Sequence, residues 1–136
     1  MTETAVQTRT VTIERDLAHP PAKVWRALTE PLLMEDWLMK NNFEPAVGHS
    51  FDFHAEWGSV ACQVIAVVPL KTLTYSWNAH GLESTVTWTL TPTAAGTRLR
   101  MDQVGFRPDQ EQAYHGAQYG WPRFLAKLEQ VLARIT

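Results

Sequence analysis

The segment "STVTWTLT", residues 84–91, alternates without a break. Val86, Trp88 and Leu90 fall on one side, and Thr85, Thr87, Thr89 and Thr91 on the other. A period of two is the pattern of a strand, because successive side chains leave a pleated backbone on opposite faces. One apolar and one threonine face describe an antiparallel strand that covers a core on one side only. A chain holding such a strand must build a sheet with a single buried face, and other elements must cover that face.

The same pattern recurs along the chain. "TVTIERDLA" aligns Val11, Ile13, Arg15 and Leu17, and "SFDFHAEW" aligns Phe51, Phe53, Ala55 and Trp57. "SVACQVIAVV" is a long strand that Pro69 ends. "TLTYSWN" sets Leu73, Tyr75 and Trp77 against Thr72, Thr74 and Ser76, and "TRLRMDQVGF" keeps Leu99, Met101 and Gln103 in phase. "EWGS", "AHG" and "TAAG" supply the turns, and "KNNFEPAVG" reads as a loop. Two short helices follow the first strand. "PPAKVWRAL" opens on prolines suited to a first helical turn. "LTEPLLMEDWL" restarts a helix, with Thr29 as N-cap and Leu28 and Leu33 as a hydrophobic staple.

From about Asp109 the period becomes helical, with Tyr114, Gln118, Trp121, Leu125, Leu128, Leu132 and Ile135 at three-or-four spacing. The expected architecture is α+β: an antiparallel sheet of six or seven strands, a long C-terminal helix and two short helices. No linker, repeat or low-complexity segment divides the chain, so residues 1–136 read as one domain. Residues 1–6 are expected to fray.

Composition narrows the function classes. A net charge of −2 without a basic patch argues against nucleic acid as a partner. No apolar run is long enough to span a membrane, and the first ten residues lack a signal core, so a cytoplasmic location is expected. The single cysteine, Cys62, excludes an intrachain disulfide. The five histidines make no metal-binding spacing, so neither a metal nor a cofactor is expected. Nucleophile elbows, phosphate-cradling loops and dinucleotide fingerprints are absent, and no catalytic residue is assigned. Six tryptophans remain to be explained, either as core or as pocket lining.

The motif "VTIERDLAHPPAKVWRALTEP" followed by Trp37 resembles the start of the START-like (SRPBCC, helix-grip) superfamily. More closely, it is similar to the activator of heat shock protein 90 ATPase C-terminal-like family. "PAVGHSFDF", "VIAVVPLKTLTYSW", "STVTWTLTPTAAGTRLRM" and Gly120-Trp121 before spaced leucines follow in the same order and extend the resemblance over nearly the whole chain. The resemblance implies a curved sheet gripping the C-terminal helix, with a cavity between them. Superfamily relatives bind lipids, sterols, polyketides or other hydrophobic ligands there, and some are cyclases or aromatases. The namesake proteins stimulate a chaperone and carry an additional N-terminal domain, which a chain of 136 residues is not expected to hold.

A small hydrophobic or aromatic ligand is therefore the expected partner, with an enzyme of cyclase or hydrolase type as the alternative. A co-chaperone-like interaction domain is the third reading, with a chaperone or a second copy as partner. Strand and helix phase nominate Phe53, Trp57, Tyr75, Trp77, Trp88, Met101, Gln103, Tyr119, Gly120 and Trp121 as ligand-binding residues. Gln103 interrupts an apolar face with an amide that can both donate and accept. Arg15 interrupts another, and either needs an anion or reaches water. An enzyme would need at least two of Gln103, Tyr75, Tyr119 and His115 to converge in one pocket.

The stretch "HGAQYGWPRFL", residues 115–125, holds poor helix formers beside large aromatics. Gly116 and Gly120 are four apart and share a helix face. Turned to the sheet, they leave space that Trp121 borders. Pro122 lacks an amide hydrogen, so it either kinks one long helix or starts a new one.

Overall fold

The structure is a computed structural model and describes residues 8–135. The expected fraying of residues 1–6 lies outside the described residues. The α+β architecture is present. Its strands are β1 (Arg9–Leu17), β2 (Lys40–Asn41), β3 (Ser50–Ala55), β4 (Gly58–Val68), β5 (Thr72–Ala79), β6 (Leu82–Thr93) and β7 (Gly96–Phe106). Helices α1 (Pro21–Thr29) and α2 (Pro31–Trp37) follow β1, and α3 (Glu111–Arg134) ends the chain. The seven strands form one antiparallel sheet in the order β1-β7-β6-β5-β4-β3-β2. Only the β1–β7 neighbourhood breaks chain order, which brings the two ends of the fold together.

β6 carries the alternation that the sequence announces. Val86, Trp88 and Leu90 are buried, while Thr85, Thr87 and Thr89 are partly open and Thr91 is exposed. The buried face packs against all three helices. Trp37 of α2 meets Trp88 edge to face, with ring centroids 5.6 Å apart. Trp88 meets Trp121 of α3 at 5.6 Å, and Trp121 meets Trp77 of β5 at 5.2 Å. Four of the six tryptophans thus form one continuous chain from the short helices through the core to the far flank of α3. Each fully buried aromatic of this kind contributes about 1.5–3 kcal/mol by leaving water. The Trp37 indole N–H donates to the carbonyl of Ala27 at 2.8 Å, which ties α2 to α1.

Three local expectations are corrected. Thr29 is the last residue of α1 and not an N-cap; its hydroxyl donates to the carbonyl of Trp25 at 2.7 Å. The cap of α2 is Glu30, which is extended (φ −91°, ψ 118°) because it precedes Pro31. The Leu28–Leu33 staple loses its register for the same reason. The segment "KNNFEPAVG" is not all loop, since Lys40 and Asn41 pair with His54 and Phe53 as β2.

The alternation of β7 breaks after Gln103, because a bulge intervenes at Gly105. Arg9 pairs with Phe106 whereas Thr10 pairs with Val104, so one residue of β7 is extra. Gly105 has φ +123°, and a Cβ there would lie 2.7 Å from the carbonyl oxygen of Glu83. The bulge turns Phe106 inward, where it is fully buried.

α3 is one uninterrupted helix through Pro122, so no second helix begins there. Pro122 still has no N–H for the carbonyl of Gln118. The helix buries Trp121, Leu125, Leu128, Val131 and Leu132, all but the first lying beyond the proline. Its first half rests less completely on the sheet, and that difference sets up the site. None of the described helices is long and apolar enough to cross a membrane.

Candidate functional site

Small residues hold the first half of α3 open. Ala113, Gly116, Ala117 and Gly120 recur at three-or-four spacing and line a cavity between α3 and the strands β5–β7. A Cβ added at Gly116 or Gly120 would meet nothing within 4 Å; Gly116 is exposed and Gly120 half-buried, so both stand at the open rim of the cavity. The cavity measures about 150 Å³, and Trp77, Leu82, Gln103, Phe106, Trp121 and Phe124 complete its walls. That volume is close to what one six-membered aromatic ring needs.

Gln103 is the polar group at the base, only 2% exposed. Its Oε1 accepts from the indole N–H of Trp121 at 2.7 Å, and its Nε2 donates to the hydroxyl of Ser84 at 3.0 Å. Ser84 in turn donates to the carbonyl of Trp77 at 2.7 Å. The three bonds link β5, β6, β7 and α3 at one point. They also satisfy polar groups that would otherwise be costly to bury.

A wider recess of about 520 Å³ adjoins the cavity and shares Leu82 and Ala113 with it. It opens between two hairpin tips and the start of α3, with Trp57, His80 and Gln110 on its border. Trp57 and His80 face each other across the tips, their ring centroids 5.7 Å apart. His80 and Gly81 both have positive φ (50° and 83°), as a two-residue hairpin turn requires. On the other flank of α3, a groove of about 440 Å³ runs along β1 beside Trp121 and Pro122. Its polar side chains Thr10, Thr12 and Gln118 are exposed, so it holds no buried polar group comparable with Gln103.

The ten nominated residues separate into four groups. Trp77, Gln103, Gly120 and Trp121 line the cavity. Trp57 lines the outer recess and is 55% exposed, the rim position that its place beside a hairpin turn allows and not the inward face that strict alternation with Phe51 and Phe53 would give. β3 ends at Ala55, so the alternation stops before Trp57 and the hairpin turn sets its direction. Phe53, Tyr75, Trp88 and Met101 are fully buried core and do not reach the cavity. Tyr119 is 64% exposed, and the guanidinium of Arg123 stacks on its ring at 4.2 Å. It lies two residues from Trp121, on a different side of the helix.

The polar candidates for an enzyme do not converge. The Tyr75 hydroxyl accepts from the Trp88 indole at 2.9 Å within the core, and burial pushes its ionisation far above the ordinary phenol range. His115 is exposed; its ring meets the side chain of Gln118 at 3.3 Å and the edge of Tyr114, and it does not line the cavity. Arg15 reaches the surface, donating to the carbonyl of Glu14 at 2.9 Å. Cys62 is buried, and desolvation raises its thiol well above the usual value, so it stays protonated. Among the described residues no cluster of His, Cys, Asp and Glu could hold a metal ion.

Leu82, Ser84, Phe106, Ala113, Gly116, Ala117 and Phe124 were not nominated, although all but Ser84 line the cavity and Ser84 orients Gln103. Most had a signal. Leu82 and Ser84 continue the Val86–Trp88 phase backwards, and the small residues of α3 repeat at helical spacing. Phe106 had none, because the bulge at Gly105 reverses the phase just before it.

Comparison with known proteins places the fold. The sequence family described as Activator of Hsp90 ATPase homolog 1-like protein matches residues 18–133. No curated protein is significantly similar to the chain. Among solved structures, protein MLL2253 from Mesorhizobium loti is 59% identical, with a TM-score of 0.91, over 94% of this chain and 99% of that one. DynU16, from the dynemicin biosynthetic locus, is 25% identical with a TM-score of 0.83, over 92% of this chain and 47% of that longer one. CalU16 from Micromonospora echinospora shares the fold at 23% identity and a TM-score of 0.81, over 93% of this chain and 78% of that one. With a family match over most of its length and the helix-grip arrangement around a sheet-and-helix cavity, the chain belongs to the Activator of Hsp90 ATPase homolog 1-like family.

Proposed function

We propose that the protein binds a small hydrophobic or aromatic ligand in the cavity between α3 and strands β5–β7. The observation that carries this reading is the pairing of open space beside Gly116 and Gly120 with one buried amide, Gln103. Larger side chains at these two positions would narrow the mouth of the cavity, and glycine leaves it open. An apolar chamber with one fixed polar group is the usual make-up of a small-molecule site. The outer recess at Trp57 gives a route in, or room for a part of the ligand too large for the chamber. The aromatic walls Trp77, Trp121, Phe106 and Phe124 favour a flat ring.

The scattered polar groups favour binding over catalysis. Of Gln103, Tyr75, Tyr119 and His115, Gln103 alone lines the cavity. Thermal-shift screening of single-ring and two-ring aromatics, fatty acids and sterols tests the reading. Ring compounds are expected to raise the melting temperature, and Trp77 and Trp121 fluorescence should respond to them. A panel in which no compound does either would refute the proposal.

A further inference from the structure

We propose that the cavity selects a ring bearing one neutral group that donates and accepts hydrogen bonds at once, as a phenol or lactam does, and rejects a carboxylate. This rests on the reading of the cavity as a ligand site.

The argument begins with the orientation of Gln103. An indole N–H can only donate, so the atom facing Trp121 must be the amide oxygen. Ser84 spends its single proton on the carbonyl of Trp77 and can only accept from Gln103. Both neighbours therefore impose the same orientation on the amide. A primary amide has two N–H donors and two oxygen lone pairs. Trp121 takes one lone pair and Ser84 takes one proton. One acceptor site and one donor remain, on a side chain that borders the cavity.

A hydroxyl matches that remainder, giving its proton to Oε1 and accepting from Nε2. A hydrocarbon leaves both groups of Gln103 unmet. A carboxylate accepts from Nε2 but places its second oxygen against Oε1. No basic side chain lines the cavity to balance its charge, and a buried unpaired charge is strongly unfavourable.

Isothermal titration of the wild-type chain with phenol, toluene and benzoate tests this. The three probes share one ring and differ in the group offered to Gln103. In a cavity without hydrogen-bonding groups toluene would win, because phenol surrenders its bonds to water. Here phenol is expected to bind at least as tightly as toluene, and benzoate not measurably. In Gln103→Met the preference should revert, with phenol weakened by about tenfold, as expected for one or two lost hydrogen bonds. The wild-type comparison stands even if that variant folds poorly. The side-chain amide resonances of Gln103 should also move with phenol and not with toluene. Toluene or benzoate binding more tightly than phenol to the wild type would overturn the inference and leave the cavity as a ligand site. If none of the three binds, the inference falls, and the wider panel of two-ring aromatics, fatty acids and sterols decides the ligand-site reading separately.

Discussion

Trp121 on α3 donates its indole N–H to the side-chain oxygen of Gln103 on β7 at 2.7 Å, with both residues buried. The bond joins the covering helix to the sheet at the edge of the cavity. It makes Trp121 a wall, a clamp and an orienting group together. Trp121→Phe keeps most of the ring but leaves Oε1 of Gln103 without its donor. Urea denaturation should show a loss of about 1–3 kcal/mol, the usual cost of stranding a buried polar group. A double variant with Gln103→Met should lose less than the sum of the two single changes, because both act on one bond.

Gly120 offers the opposite sign. It sits inside a helix, where glycine costs about 1 kcal/mol relative to alanine, and an added Cβ would meet nothing within 4 Å. Gly120→Ala should raise the melting temperature by a few degrees. Gly120→Leu should fold as well but extend into the cavity, and should abolish binding of aromatic probes. A leucine variant that binds as the wild type does would remove the glycine face from the site.

How far the sequence could be read depended on whether a rule acted locally. The threonine alternation of β6 is set by the strand itself, and it predicted both faces correctly. The helical phase of Trp121, Leu125, Leu128 and Leu132 survived Pro122 because packing on the sheet outweighs one missing backbone bond. Phase failed where something outside the pattern intervened. Trp57 followed Phe53 on paper, but β3 had already ended. Phe106 fell out of phase through a bulge that no alternation reveals. Core and cavity were also indistinguishable in the sequence. Trp88 and Trp77 share an inward direction, and only the neighbouring small residues on α3 decide which of them meets open space.

On the outer face, Asp102 accepts from Thr12 at 2.6 Å and pairs with Arg100 at 2.9 Å. Partial burial alone would raise its ionisation, but the hydrogen bonds from Arg100 and Thr12 outweigh that and hold it below the usual carboxylate value of 3.8. A carboxyl depressed in the folded state contributes stability above its unfolded pKa and loses it as the pH falls through the folded one. Stability should therefore decline below about pH 4 in part through this group. Asp102→Asn removes that part, so its melting temperature should fall less steeply with acid than that of the wild type. Parallel melts from pH 6 to pH 3 measure the difference.

Gly105 is the strictest test of how the cavity is built. Two independent constraints bear on it: φ of +123°, which side chains rarely adopt, and a carbonyl oxygen of Glu83 only 2.7 Å from where a Cβ would stand. Gly105→Ala must either strain the backbone or push β6 and β7 apart. Both moves disturb Ser84, which adjoins the glycine, and Phe106, which follows it. The expected loss is about 1–3 kcal/mol, in contrast to the gain at Gly120. Because Ser84 orients Gln103, the alanine variant should also weaken phenol binding by more than its loss of stability explains. Titration well below the melting temperature separates the two effects. Destabilisation with binding unchanged would mean that the bulge supports the sheet without shaping the cavity.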